Sequence, residues 1–259
     1  MLPIERKELI LNLLREKKLV KIRELEELLD VSLMTIHRDI KALEKEGKVK
    51  KLRGAIIGVN LEKDRESLFE ERAKLNVDKK IAIAREAIRL IKKGEYVLLD
   101  AGTTTFQIAK LLDIPVTVVT NDLYIGIELA NKEHVEGMLT GGVIRKITRS
   151  LIGPETVESI RKTRATQAFV AASGVSESME LLSGNPIEGD VKRAYIKSAQ
   201  HRILVVDSSK FGHHNKYVFA QMDEIDTIIT DWEIDKTCIE RIKNLGKNLI
   251  IAKKFGKAK

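Results

Sequence analysis

Seven short apolar runs alternate with stretches of helical periodicity between residues 96 and 252, and this alternation limits the fold more than any other feature. The runs read YVLLD, VTVVT, VEGMLT, AFVAAS, ILVVD, DTIIT and NLIIA. The helical stretches among them read FQIAKLL, LYIGIELAN, ETVESIRK, VKRAYIKSA and DKTCIERIKN. Strands that alternate with helices predict a mostly parallel sheet that is covered by helices on both faces. In such open sheets, ligands bind beyond the carboxyl ends of the strands.

Polar residues or glycines follow the carboxyl ends of the predicted strands. The run VLLD leads into AGTTT, and the run MLT leads into Gly141 and Gly142. Three threonine hydroxyls beside the free amides of a helix start attract an anion, and Gly102 allows a close backbone approach. Lys210 supplies a cation at another strand end, and three side chains at strand ends are suited to sugar hydroxyls: Asp100, Asn121 and Asp207. This set fits a small phosphorylated polyol, whereas the alternative is an ordinary threonine-rich helix cap.

The first sixty residues show the pattern of a helix-turn-helix. Apolar stripes predict helices over Ile4–Glu16 and Ile22–Leu29, and a third helix, LMTIHRDIKALEKE, ends at Gly47. Ser32 stands where a side chain caps the third helix. Two short helices joined by a three-residue turn are the geometry that places a recognition helix on DNA.

The third helix has an apolar face and a basic face. Ile36, Ile40 and Leu43 cluster on one side and are predicted to face the core. Four residues lie nearly opposite, namely Met34, Arg38, Lys41 and Lys45, and we expect the carboxylates Asp39, Glu44 and Glu46 to lie elsewhere. Arg38 can form a forked contact with a guanine edge, with Thr35 and His37 beside it. The alternative is a solvated basic face on a plain helical bundle.

A basic hairpin is predicted directly after the third helix. The stretch KVKKLRGAII alternates, turns at Gly54 and alternates again, which is typical of the wing of a winged helix. The chain carries a formal net charge of +8, and residues 1–60 hold half of it with 14 Lys and Arg against 10 Asp and Glu. This asymmetry favours an N-terminal module that binds nucleic acid.

The N-terminal segment SLMTIHRDIKALEKEGKVKKLRGA resembles the winged helix of the DeoR family of bacterial sugar-metabolism regulators. Two positions depart from the family pattern: His37 stands where an arginine is usual, and Leu52-Arg53-Gly54-Ala55 stands where His-Gly-Gly-Ala is usual. With the basic face, the resemblance implies a set of DNA-binding residues: Ser32, Met34, Thr35, His37, Arg38, Lys41, Lys45, Lys51 and Arg53.

The segments LLDAGTTT, VVTNDL, LTGG, AFVAASGV, VKRAYI and VVDSSKFG resemble the C-terminal domain of the same family, which is similar in fold to ribose phosphate isomerase. The resemblance implies an effector pocket for a sugar phosphate, with a pocket lysine at Lys192. The implied pocket residues are Asp100, Gly102, Thr103, Thr104, Thr105, Thr120, Asn121, Gly141, Gly142, Lys192, Asp207 and Lys210.

We therefore expect an α/β protein with a winged helix-turn-helix at residues 1–58, a linker at 59–80 and an effector-binding domain at 81–259. The expected partners are double-stranded operator DNA, a phosphorylated sugar and further copies of the chain, as a dimer or tetramer. The resemblance implies repression of a sugar-metabolism operon that the effector relieves.

The alternative function is a sugar-phosphate isomerase or deaminase that carries an accessory DNA-binding domain. Isomerisation needs a base, and Asp207 and Glu188 are the candidates. We expect no catalytic residues, no cofactor and no metal. His213 and His214 are read as a surface loop, and Cys238 as an ordinary helix residue. The absence of a run of about 18 apolar residues predicts no membrane span, and we expect a cytoplasmic protein.

Overall fold

The computed structural model of the protein describes residues 3–17, 19–59, 68–212 and 217–254. The chain forms two compact units, Met1–Glu66 and Ser67–Lys259. Residues 68–80 of the predicted linker lie in the second unit, and the rest of it, apart from Val59, lies outside the described residues. The predicted boundary at 58 and the linker itself stay predictions.

The N-terminal unit is a winged helix. Its helices are α1 (Pro3–Lys17), α2 (Ile22–Leu29) and α3 (Leu33–Lys45). Its strands are β1 (Leu19–Lys21), β2 (Val49–Leu52) and β3 (Ala55–Gly58), which form an antiparallel sheet in the order β1-β3-β2. The three helices and the wing follow the sequence prediction. Strand β1 was not predicted, because three residues are too few to show a period.

The second unit contains alternating strands and helices. Seven strands form its main sheet: β4 (Tyr96–Leu99), β5 (Val116–Thr120), β6 (Val135–Leu139), β9 (Ala165–Val170), β12 (Ala199–Val205), β14 (Thr227–Asp231) and β15 (Asn248–Ala252). Its helices are α4 (Phe69–Lys74), α5 (Val77–Ile88), α6 (Thr103–Leu111), α7 (Leu123–Ala130), α8 (Pro154–Arg161), α9 (Pro186–Ser198) and α10 (Lys236–Asn244).

The main sheet is parallel throughout, in the order β15-β14-β12-β9-β4-β5-β6. The chain runs outward from β4 through β5 to β6 and then returns to β9 on the other side of β4. The strand order therefore reverses between β4 and β9, which is where open parallel sheets form a ligand crevice.

Two apolar layers cover the sheet. Helices α5, α6 and α7 pack on one face, with Ile83, Ile108 and Ile125 among its buried side chains. Helices α8, α9 and α10 pack on the other face, where Ile160 and Tyr195 are buried. The predicted fold class, a winged helix-turn-helix joined to a mostly parallel α/β domain, is confirmed.

Five short strands of the second unit lie outside the main sheet, and none of them was predicted. Strands β7 (Val143–Arg145) and β8 (Ser150–Ile152) form a hairpin, and β10 (Gly174–Val175), β11 (Glu180–Ser183) and β13 (Tyr217–Gln221) form a small antiparallel sheet. Their runs are too short for a clear alternation. Helix α5 also begins before the predicted start at Ile81 and ends before the predicted end at Ile91.

Candidate functional site

The third helix is built as the sequence predicts. Ser32 is its N-cap, and the Ser32 hydroxyl accepts a hydrogen bond from the Thr35 amide at 3.4 Å. The side chains of Ile36, Ile40 and Leu43 are buried in the core of the winged helix. The opposite face of the helix is therefore left free for a partner.

The predicted DNA-binding residues lie on one basic surface, which we call the recognition surface. Met34 is 83% exposed, and Arg38, Lys41 and Lys45 are exposed beside it on α3, with Thr35 and His37 half-buried. On the wing, Lys51 and Arg53 are exposed. Gly54 follows Arg53 with a φ of 76°, a left-handed conformation that glycine adopts without strain.

A shallow groove separates α3 from the wing. It is lined by His37, Ile40, Lys41, Glu44 and Lys51. The Lys51 ammonium lies 3.3 Å from Nδ1 of His37, and the Lys51 amide donates to the Glu44 carboxylate at 3.2 Å. The Glu44 carboxylate thus lies at the side of α3 that faces the wing and holds the wing beside the helix.

A buried ion pair that the sequence did not reveal holds α3 against α1. The Arg6 guanidinium donates to both Asp39 oxygens, with Nε to Oδ2 at 2.5 Å and Nη2 to Oδ1 at 3.2 Å. Both side chains are almost fully buried. The fork is a geometry in which an arginine fixes its partner's orientation, so this pair sets the angle of the recognition helix.

Asp100 and Lys192 form the centre of the predicted effector site. Asp100 follows β4, and Lys192 lies on α9. The Lys192 ammonium donates to Asp100 Oδ2 at 2.5 Å and to the Ala171 carbonyl, just after β9, at 3.0 Å. The Ala171 amide in turn donates to Asp100 at 3.0 Å. This cluster bridges the two strands where the strand order reverses.

The charges in this cluster are almost completely buried. Burial raises the pKa of Asp100, and the ammonium of Lys192 opposes that rise by favouring the carboxylate. Each charge of this buried ion pair depends on the other, since burying either charge alone would cost much free energy.

The threonine turn, residues Gly102–Thr105, begins helix α6. Gly102 is the N-cap, and no side chain caps the helix. The Thr105 hydroxyl donates to the Gly102 carbonyl at 2.8 Å. Within the described part of the chain, the hydroxyls of Thr103 and Thr104 have no hydrogen-bond partner. The ordinary cap is thus absent, and the amides of the first helical turn stay available.

Gly102 lies against the end of the neighbouring strand. A Cβ atom at this position would come within 2.9 Å of the Ala171 Cβ. Only glycine lets the turn approach β9 this closely, which explains the residue without any unusual backbone angle.

Asn121 and Asp122 brace the threonine turn from the end of β5. The Ala101 amide donates to Asn121 Oδ1 at 3.1 Å, and the Gly102 amide donates to Asp122 Oδ2 at 3.2 Å. Asp122 Oδ1 also caps α7 by accepting from the amides of Tyr124 and Ile125. One carboxylate thus fixes the starts of two helices.

Tyr195 completes this network from α9. Its hydroxyl lies 3.0 Å from both the amide nitrogen and the Oδ1 atom of Asn121, and 3.3 Å from the Leu99 carbonyl. The Asn121 side chain also donates to the Leu151 carbonyl at 2.9 Å. Tyr195 and Asp122 were absent from the predicted site, although Asp122 directly follows the predicted Asn121.

Asp122 gives the stability of this unit a pH dependence. Burial raises the pKa of Asp122 to about 7. Hydrogen bonds from the amides of Ile125, Tyr124 and Gly102 favour the carboxylate and oppose this rise. A carboxyl whose pKa is raised by folding binds its proton more tightly in the folded state, so stability falls as pH rises from about 4 through about 7. The loss from this group is on the order of 4 kcal/mol.

We expect Asp122→Asn to remove most of that slope. Urea unfolding of the wild type and of the variant at pH 5 and pH 8 measures the effect. Asp113→Asn, an exposed carboxyl before β5, is the matched control. Equal changes of unfolding free energy with pH in the wild type and in Asp122→Asn would refute this role.

The turn after β6 carries the predicted Gly141 and Gly142. The Thr156 hydroxyl donates to the Gly141 carbonyl at 2.6 Å, and the Thr140 amide donates to the Thr120 carbonyl at 2.9 Å. Gly142 has a φ of 130°, and a Cβ there would lie 2.7 Å from the Ile152 carbonyl oxygen. The turn is therefore rigid and requires glycine.

The predicted residues Asp207 and Lys210 lie on the loop after β12. Asp207 Oδ1 accepts from the Ser209 amide at 3.1 Å and from the Asn76 side chain at 3.0 Å. Lys210 is half-buried at the end of the short 3-10 helix Ser208–Lys210. Hydrogen bonds tie this loop to the start of α5. Lys192 instead pairs with Asp100, and Asn121 and Asp122 hold the threonine turn through the amides of Ala101 and Gly102.

Neither candidate base is free in this arrangement. Glu188 Oε1 accepts from the hydroxyls of Thr148 and Ser150 at 2.6 and 3.2 Å, and it lies 3.5 Å from Nη1 of Arg145. Asp207 is occupied by Asn76 and Ser209. A general base must reach the proton that it removes, so these contacts do not favour isomerase chemistry.

The described residues contain no group of three His, Cys, Asp or Glu side chains that could hold a metal ion. His213 and His214 lie outside the described residues. Cys238 is half-buried on α10 against the core, and burial raises the pKa of its thiol. None of the described helices is both long and apolar enough to cross a bilayer.

Two family profiles match the chain. The one described as "DeoR-like helix-turn-helix domain" matches residues 6–60, and the one described as "DeoR C terminal sensor domain" matches residues 75–232. Together they cover the winged helix and most of the parallel α/β unit.

Individual proteins are similar over nearly the whole chain. The HTH-type transcriptional regulator GolR of Listeria innocua is 32% identical, and the match covers 97% of this chain and 100% of that protein. The lactose phosphotransferase system repressor of Lactococcus lactis is 32% identical over 91% of this chain and 93% of its own. Among solved structures, ribose 5-phosphate isomerase A of Methanocaldococcus jannaschii is 17% identical, with a TM-score of 0.40 over 52% of this chain and 55% of its own.

Proposed function

The chain belongs to the DeoR family of transcriptional regulators, and from this premise we propose that it represses a carbohydrate-metabolism operon until a phosphorylated sugar binds. The winged helix binds double-stranded operator DNA. The second unit, which we call the sensor unit, binds the sugar phosphate. Binding at one site weakens binding at the other by the same factor.

The recognition surface supports the DNA-binding half of this proposal. Arg38 is exposed in the N-terminal half of α3, the half through which recognition helices reach base edges. Lys41 and Lys45 follow on the same face, and Arg53 stands at the tip of the wing, where cations neutralise phosphates and release counterions. Operators of such proteins are often palindromic, so we propose that at least two copies of the chain bind together.

The threonine turn is the observation that carries the effector half. It offers two hydroxyls that have no hydrogen-bond partner among the described residues, together with the amides of a first helical turn, at the point where the strand order reverses. This combination binds phosphate groups. Asp122 and Asn121 hold the turn in place, and Lys210 supplies a cation on another loop. Gly141 and Gly142 belong to the proposed sugar end of the site.

The similar proteins support the proposal that the chain regulates a carbohydrate-metabolism operon. The lactose phosphotransferase system repressor carries a sugar in its name, and its match with this chain extends over both units. We propose that the chain needs no cofactor, that it performs no catalysis and that it acts in the cytoplasm. The isomerase alternative requires a free base, which neither Glu188 nor Asp207 supplies.

A thermal shift assay tests the effector. The panel is glucose 6-phosphate, fructose 1-phosphate, fructose 6-phosphate and glycerol 3-phosphate, each paired with its unphosphorylated parent. A ligand that binds only the folded state stabilises it by about 2.7 kcal/mol at a concentration of 100 times its Kd. We expect a phosphorylated compound to raise the melting temperature and its parent to leave it unchanged.

Thr104→Val localises the binding. It removes a hydroxyl that has no protein partner, so folding should be preserved while the shift is lost. Thr117→Val, on β5 and bonded to Glu136 away from the turn, is the matched control and should respond like the wild type. A full response from Thr104→Val would show that the phosphate binds elsewhere, and product formation would support the isomerase.

A further inference from the structure

The first helix of the sensor unit packs on the threonine turn's own helix. Phe69 begins α4 and is buried. Its ring stacks on Tyr124 with centroids 4.5 Å apart and an interplanar angle of 25°. The same ring meets Phe106 edge-on at 5.8 Å, and Phe106 meets Tyr124 at 6.3 Å. Three rings thus join three helices in one contact.

Two of these rings are linked to the threonine turn, one along the backbone of α6 and one through Asp122. Phe106 follows Thr105 in the first turns of α6. Tyr124 lies in the first turn of α7, and its amide donates to the carboxylate of Asp122, which holds the Gly102 amide. Both rings are therefore coupled to the position of the turn, and aromatic packing depends on the relative geometry of the rings.

Polar contacts orient α4 on these rings. The Tyr124 hydroxyl donates to Glu70 Oε1 at 2.9 Å, and Nε of Arg149 donates to the same oxygen at 3.3 Å. The Phe69 amide donates to the Ile147 carbonyl at 3.0 Å. Unlike apolar packing alone, these bonds fix the direction of the helix.

The residues that follow α4 contact the loop after β12, which carries the predicted effector residues Asp207 and Lys210. Asn76 donates to Asp207 Oδ1 at 3.0 Å, and the Lys79 ammonium donates to the Ser208 hydroxyl at 2.9 Å. Lys80 is buried and donates to the Leu75 carbonyl at 2.7 Å, which ties α4 to α5. Residues Phe69–Lys80, here called the strap, therefore run from the threonine turn to the loop that carries Lys210.

We propose that the strap carries the effector signal: sugar phosphate at the two loops shifts the ring cluster and the Tyr124–Glu70 bond, and α4 passes the shift to the DNA-binding unit. This inference rests on the proposed function. The order of the chain favours it, because only residues 59–68 lie between the end of β3 in the first unit and Phe69 at the start of the strap.

Two variants of the full-length protein test the strap. Tyr124→Phe keeps the ring and removes only the hydroxyl that Glu70 accepts from, and Phe69→Leu keeps an apolar side chain and removes the stacking. Tyr96→Phe, half-exposed at the amino end of β4, is the control. The probe is the panel compound that stabilises the wild type most, and the DNA is a duplex that the wild type selects from a random library.

The measured quantity is the ratio of operator Kd with and without saturating probe. Couplings between sites are typically about 5–150-fold, and we expect the wild type and Tyr96→Phe to lie in that range. Tyr124→Phe and Phe69→Leu should bring the ratio close to one while their affinity for the probe without DNA is unchanged. Wild-type ratios in both variants overturn the strap alone. A ratio of one in the wild type contradicts the proposed function and, with it, the strap.

Discussion

Lys192→Met is expected to lower the unfolding free energy of the sensor unit by about 3–5 kcal/mol, the cost of leaving a buried charge without its partner. Lys192 donates to Asp100 and to the Ala171 carbonyl, and all three groups lie where the strand order reverses. Methionine fills a similar volume, so the loss reports the charge and not a cavity. Urea unfolding at neutral pH measures it.

The fall in unfolding free energy caused by Lys192→Met should depend on pH. Without the ammonium, burial raises the pKa of Asp100 further, and the folded state holds a proton that unfolding releases. Stability of Lys192→Met therefore falls as pH rises and recovers in acid. The double variant Asp100→Asn with Lys192→Met removes the stranded charge and should regain much of the loss at pH 8. A single variant as stable as the wild type at every pH would disprove the paired-charge account.

Arg38→Ala is expected to weaken operator binding by roughly 1–3 kcal/mol and to relax the sequence preference at one base position. The exposed guanidinium in the N-terminal half of α3 is suited to a forked contact with a guanine edge. Lys41→Ala should instead weaken binding to all sequences alike and reduce the salt slope by about one.

Binding to a selected duplex and to a scrambled duplex at several salt concentrations separates these two roles. Lys243→Ala, an exposed lysine on α10 of the sensor unit, is the matched control for lost positive charge. Unchanged affinity and unchanged preference in Arg38→Ala would remove this residue from the recognition surface.

Local pattern predicted most of the fold. All seven strands of the main sheet were predicted, because each contains a short apolar run and helical periods lie between the runs. The faces of α3 were predicted for the same reason, since a period of 3.6 residues separates Ile36 and Ile40 from Arg38. The strands outside the main sheet were not, because their pairing comes from tertiary contacts and not from their own two to five residues.

The contacts that hold the candidate site could not be predicted from such patterns. Tyr195 bonds Asn121 across 74 residues, and Arg6 pairs with Asp39 across 33. A lone tyrosine or aspartate on a helix gives no periodic signal of a distant partner. Asp122 was adjacent to a predicted residue, yet its role depends on the Gly102 amide, which only the fold brings within reach.

The most direct test of the account is operator binding by the wild-type protein with and without the sugar phosphate that stabilises it. We expect this compound to raise the operator Kd by a factor within the roughly 5–150-fold range of site couplings. We also expect no change with the unphosphorylated parent, and no change in Thr104→Val with either compound. An operator Kd that is the same with and without the sugar phosphate would contradict this account.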